Sequence, residues 1–139
     1  MISFNYECDF ELPDEAAYEK WLHEVIISED KKEGDINYIF CDDEYLLQMN
    51  IQYLDHDTLT DIISFDYTVG NEIAGDIFIS VERVKENAMD FDVFFDEEIK
   101  RVMAHGILHF CGYQDKSTRD EELMRSKEEE KINMFHVEL

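Results

Sequence analysis

The feature that most constrains this chain is the string HGILHFCGYQD at residues 105–115, where two histidines four apart are followed by a glycine and then an aspartate. The residues leading into it, from about Asp96 to Cys111, carry Ile99, Val102, Met103, Ile107, Leu108 and Phe110, and this apolar content predicts a helix. On a helix, side chains at i and i+4 share one face with about 6 Å of rise between them. His105 and His109 therefore project together and can bind one ion. Gly112 can stop the helix in the left-handed conformation that glycine tolerates. Asp115 follows three residues later, placed to swing its carboxylate back toward the imidazoles. Zinc takes nitrogen or oxygen ligands at about 2.0–2.2 Å, and a hydrolytic site uses three protein ligands with a fourth position open to water.

As spacing, the string reads H-x-x-x-H-x-x-G-x-x-D. It shares the register of the H-E-x-x-H-x-x-G-x-x-H motif of one metalloprotease class, with Asp115 in place of the last histidine. An isolated pair of histidines at this spacing more often reflects packing or solvation; the glycine and the carboxylate turn the reading toward a metal site. The protease motif carries a glutamate general base beside the first histidine, whereas this chain has Gly106, which has no proton acceptor. Ordinary peptidase chemistry is thereby disfavoured, and no segment reads as a Met-turn. Gly106 instead suits close packing of the helix against a strand or a substrate.

Elsewhere, residues 2–6 read as a strand, and Pro13 and Asp14 open a helix through Trp21, Leu22, Val25 and Ile26 that Gly34 breaks. Residues 35–41 alternate as a strand. Asp42 or Asp43 can cap a helix carrying Tyr45, Leu46, Met49 and Tyr53 on one face. After a polar turn at 55–60, IISFDY and AGDIFISV read as two strands that can form a hairpin, and a short helix follows from Val81. Residues 118–135 read as a charged helix with Leu123, Met124, Ile132 and Met134 as scattered anchors, its charge run a solvated face. Strands and helices mix without regular βαβ alternation, which predicts the α+β class with a small mixed sheet packed by helices. With no linker and no repeat, residues 1–139 read as a single domain.

Charge limits the function. Thirty-five acidic residues against twelve basic give −23, which repels polyanions at long range. A dedicated nucleic-acid binder is disfavoured, and an RNA-directed role needs a local basic patch, a bound cation or a partner protein. Cys8, Cys41 and Cys111 are far apart and in no CxxC spacing, so they read as reduced thiols, and Cys111 falls on a different helical face from the two histidines. No apolar run approaches the roughly 18 residues of a membrane helix, and residues 1–10 lack the pattern of a signal peptide, so a cytoplasmic protein without a membrane partner is expected. His23, His56 and His136 lack ligand spacing. Around the two central strands, Thr60, Asp61, Ser64 and Asp76 are the polar groups that can orient a ligating histidine or an attacking water. Individually each reads more readily as a turn or edge-strand residue, so Asp61, Ser64 and Asp76 are candidates for catalysis and no general base is assigned.

HGILHFCGYQD resembles the H-G-x-L-H-x-x-G-[YF]-D-H signature of the YbeY family of rRNA-maturation endoribonucleases. TDIISF resembles that family's T-[DN]-V-L-S-F strand, AGDIFIS its L-G-D-I-x-I-S strand, and the stretch from Leu47 to Asn50 its upstream L-N element. Together these cover most of residues 45–116 in the family's order. The resemblance implies a zincin-like fold with the metal site on a helix and the loop after it. It also implies one zinc ion on His105, His109 and Asp115, and hydrolysis of single-stranded precursor rRNA of the small ribosomal subunit, in the cytoplasm. Asp115 replaces the family's third histidine; a harder, anionic ligand leaves other divalent metals open. The family commonly has an arginine six residues before the T-[DN]-V-L-S-F threonine, where this chain has Leu54. Positive charge toward a phosphate must then come from elsewhere or from the metal.

Three readings follow. The first is a metal-dependent endoribonuclease of ribosome assembly. The second is a zinc-containing docking factor with little catalysis, whose acidic surface suits basic proteins of the small subunit. The third, resting on spacing alone, is a small-substrate metallohydrolase.

Overall fold

A computed structural model describes residues 1–54 and 59–135 of the chain. Local chemistry sets most of its element boundaries. After β1 (Ile2–Tyr6), Asp14 caps α1 (Glu15–Ser28) by accepting a hydrogen bond from the Ala17 N–H at 3.1 Å. α1 ends before Asp30, which is left-handed with φ 59°, and not at Gly34. Gly34 lies inside β2 (Lys32–Cys41), at an irregularity in its pairing with β4 (Glu72–Ser80). A Cβ there would meet the Ile73 carbonyl oxygen at 2.6 Å, so close approach of two strands, not a turn, demands this glycine. Asp42 caps α2 (Asp43–Leu54) by accepting from the Tyr45 N–H at 2.9 Å. Leu46 and Asn50 are its buried residues, while Tyr45 and Tyr53 of the expected stripe are exposed.

The sheet runs β1-β2-β4-β3, with β3 spanning Ile62–Asp66. The β1–β2 and β2–β4 pairings are parallel and β3–β4 is antiparallel, giving the expected hairpin and mixed sheet. Side chains alternate across β4. Ile77 and Ile79 enter the main core with Trp21, Val25, Met103 and Ile107, whereas Phe78 lies in a smaller cluster with Leu46 and Ile63. α1 and α4 (Phe95–Phe110) thus supply one face and α2 the other. Ser80 caps the intervening α3 (Val81–Asp90).

Two buried hydrogen bonds fix the helices that matter for the site. The Tyr38 hydroxyl on β2 donates to the Met103 carbonyl on α4 at 2.8 Å, and Trp21 Nε1 on α1 donates to the Lys131 carbonyl on α5 (Thr118–Ile132) at 2.7 Å. α4 lies tight on the sheet, because a Cβ on Gly106 would meet Ile77 Cδ1 at 2.8 Å; this is the strand contact expected of that glycine.

The reading of α5 as a solvated face is corrected at two positions. Met124 is buried as the expected anchor, but Glu128 and Lys131 are buried too, the last at 1% exposure, while Leu123, also expected as an anchor, is exposed. Lys131 Nζ tolerates burial because Glu29 Oε2 lies 2.8 Å away, Glu130 Oε2 2.7 Å and Ser28 Oγ 2.8 Å. No helix among the described residues is long and apolar enough to cross a membrane.

Candidate metal centre

Gly112, at φ 108°, turns the chain immediately after α4, and the following loop brings Asp115 back over the helix end. Asp115 Oδ2 lies 3.4 Å from His105 Nε2 and 3.2 Å from His109 Nε2. The two rings meet edge to face with centroids 4.5 Å apart. One ligand atom from each of the three residues lies within 4.8 Å of the others, so the structure brings the predicted trio together in an arrangement that could hold a metal ion. Two imidazole nitrogens and one carboxylate oxygen form a donor set suited to zinc and to other divalent ions, and three ligands leave a position open.

The other nitrogen of His105 is also held. Nδ1 lies 2.7 Å from Glu128 Oε2, which leaves Nε2 as the nitrogen on the Asp115 side. Arg101 in turn secures Glu128, with Nη1 3.5 Å from Oε1, and also pairs with Glu98 at 3.5 Å and with Glu129. Burial pushes the His105 pKa down, but the hydrogen bond and charge of Glu128, aided by Asp115 and Asp61, win and hold it above the ordinary histidine value. Sequence reasoning sought this carboxylate on the strands and missed it on α5. The available signal was spacing: Met124, Glu128 and Lys131 recur at helical intervals, which puts a glutamate on an inward stripe.

Thr60, Asp61 and Ser64 line the same cleft of about 470 Å³ as His105, His109 and Asp115. Burial pushes the Asp61 carboxyl above its ordinary range, partly offset by His105, and Asn87 Nδ2 donates to it at 3.4 Å. Ser64 is exposed there. Asp76 is not brought to the cleft. Its neighbour Ile77 packs under Gly106, so alternation along β4 sends Asp76 to the opposite face, where it accepts from Asn37 Nδ2 at 3.0 Å. Leu54 ends α2 and does not line the cleft. Burial lifts the Cys111 thiol to about 11, and the residue packs against the main core. His23 is exposed and bonded to Glu33, while His56 and His136 lie outside the described residues.

A helical histidine pair completed by a carboxylate beyond a glycine turn, set against a mixed sheet, defines the class: an α+β protein of zincin-like fold with three side chains that could hold a metal ion. A family model described as Endoribonuclease YbeY matches residues 4–136. The chain belongs to that family, whose members are hydrolytic nucleases. It is 72% identical to Endoribonuclease YbeY of Flavobacterium johnsoniae, with 99% of each chain covered. To Endoribonuclease YbeY of Flavobacterium psychrophilum it is 68% identical, with 99% of this chain and 98% of the relative covered. The solution structure of TM1509 from Thermotoga maritima shares its fold, with a TM-score of 0.67 at 25% identity over 97% of this chain and 89% of that one.

Proposed function

We propose that this chain is a metal-dependent endoribonuclease that cleaves single-stranded RNA in rRNA maturation, as one domain over residues 1–139, with a single zinc ion on His105, His109 and Asp115. The observation that carries this reading is the convergence of those three side chains at one cleft in a member of a nuclease family. A divalent cation bound there supplies Lewis acidity toward water and toward a phosphoryl oxygen. The chain's own groups do the rest. Glu128 sets the orientation and tautomer of His105. Asp61, its carboxyl held above the ordinary range in the cleft, holds or passes a proton at Oδ2, and the Ser64 hydroxyl donates to a phosphate oxygen. The substrate in cells is the precursor rRNA of the small ribosomal subunit, whose basic proteins suit this acidic surface as partners, and the place is the cytoplasm.

The test is elemental analysis of the purified protein and of His105→Ala, run beside cleavage of a single-stranded RNA with and without chelator. About one zinc per chain, none in the variant, and cleavage that follows the metal are expected. Metal binding without any RNA cleavage would overturn the reading.

A further inference from the structure

A chain carrying −23 must still hold a polyanion at its active cleft. Two arginines line that cleft. Arg101 has a side chain only 11% exposed and is committed to Glu98, Glu128 and Glu129. Arg125 on α5 is exposed, makes no hydrogen bond or ion pair among the described residues, and reaches Glu98 only through space. Among the described residues it is the cation of the cleft that is available to a ligand.

Phe91 lines the same cleft with 58% of its surface exposed. Its backbone is firmly placed. The Phe91 N–H donates to the Asn87 carbonyl at 2.9 Å, and the Val93 N–H donates to the Ala88 carbonyl at 3.0 Å. Between them Asp92 adopts a left-handed φ of 55°, uncommon without glycine. The turn from α3 to α4 thus presents an aromatic ring to water at the cleft that His105, His109 and Asp115 line.

We infer that RNA is gripped at this cleft by two residues that the metal chemistry does not use: an unpaired nucleobase stacks on Phe91, and a phosphate pairs with Arg125. The inference rests on the endoribonuclease reading of the same cleft. Stacking suits an acidic protein because it needs no cationic surface and tolerates any base. It also selects single strands, since the bases of a duplex already cover one another's faces. A single phosphate contact gives a shallow dependence of affinity on salt.

The test is fluorescence anisotropy of a short labelled single-stranded RNA titrated with chelator-treated full-length protein, so that binding is read without cleavage. Phe91→Ala is expected to weaken binding roughly tenfold and Phe91→Tyr to restore it. Arg125→Ala is expected to reduce the slope of log affinity against log salt by about 0.7, and Arg125→Lys to keep it. Both positions are exposed, so thermal unfolding of the variants should match the parent protein. Failure of the parent protein to bind the RNA, or unchanged binding by either alanine variant, overturns the inference. Cleavage by the metal-loaded protein is scored separately. Cleavage with unchanged alanine variants sinks the grip and leaves the nuclease reading standing; binding that depends on both residues without cleavage does the reverse.

Discussion

Glu128 Oε2 and His105 Nδ1 are 2.7 Å apart although 23 residues separate them in the chain. A carboxylate in this place fixes which ring nitrogen is free for a metal and holds the ring in one orientation, and losing such a partner typically costs roughly 10- to 100-fold in metal affinity. Glu128→Ala should therefore weaken zinc binding by about that factor, and Glu128→Gln, which keeps an acceptor oxygen, by less. Arg101 retains Glu98 and Glu129 in either variant, so the fold should survive. Competition with a chromophoric chelator measures the change, and unaltered affinity in the alanine variant would show that Glu128 positions nothing.

Zinc should also stabilise the fold. A ligand that binds only the folded state contributes about 2.7 kcal/mol at a free concentration of about 100 times its Kd. For 139 residues, at about 2.1 cal/mol/K of unfolding entropy per residue, the corresponding rise in Tm is about 9 °C. Calorimetry should find this rise in the parent protein and little of it in His109→Ala; an equal rise in both would place the ion elsewhere.

Gly106→Ala sets helix propensity against packing. Alanine gains about 1 kcal/mol over glycine in a helix interior, whereas overpacking a core costs about 1–3 kcal/mol. Ile77 is fully buried, and its Cδ1 and Cγ2 would stand 2.8 and 3.2 Å from the new methyl, so packing wins and a net loss of about 1 kcal/mol is expected. Ile77→Val removes the nearer atom. The double variant should then lose less than the sum of the single losses in urea unfolding, and simple additivity would refute the contact.

Glu29 makes stability depend on acid. Burial raises its carboxyl, but hydrogen bonds from Lys131 and Tyr113, with the charges of Lys131 and Lys127, outweigh burial and leave it below its ordinary value of 4.5. The unfolded chain then binds a proton more readily than the folded one. This contribution to stability is complete above the ordinary value and is lost as pH falls through the lower folded value. Glu29→Gln should be less stable near neutrality and show a flatter decline below about pH 4.5, read by urea midpoints across that range. A parallel decline in both proteins would assign the acid sensitivity to other carboxylates.

The parts of the molecule legible in the sequence are those whose geometry is local. His105, His109 and Asp115 lie within one helical turn and one glycine-terminated loop, so periodicity and a single residue type suffice to bring them together. The β3–β4 hairpin is legible for the same reason, from two β-branched runs joined by a short polar stretch. For Glu128 the spacing with Met124 and Lys131 marks an inward stripe, but that the stripe meets His105 depends on how α5 docks, through Trp21 and Lys131, and nothing within α5 states that partner. Asp76 failed on parity: which residues of β4 face α4 is set by strand register against β2 and β3, and a shift of one residue exchanges the faces. Gly34 misled because a turn and a crowded strand crossing both call for the absence of a side chain.

The bond from Trp21 Nε1 to the Lys131 carbonyl spans 110 residues. A growing chain emerges from its N-terminus, so Trp21 waits unpartnered, and His105 lacks its acceptor, until α5 has been made. The candidate metal centre is thus among the last parts of the fold to be completed. A fragment broken off before Glu128 holds the same two imidazoles and carboxylate yet lacks the group that fixes the ring of His105.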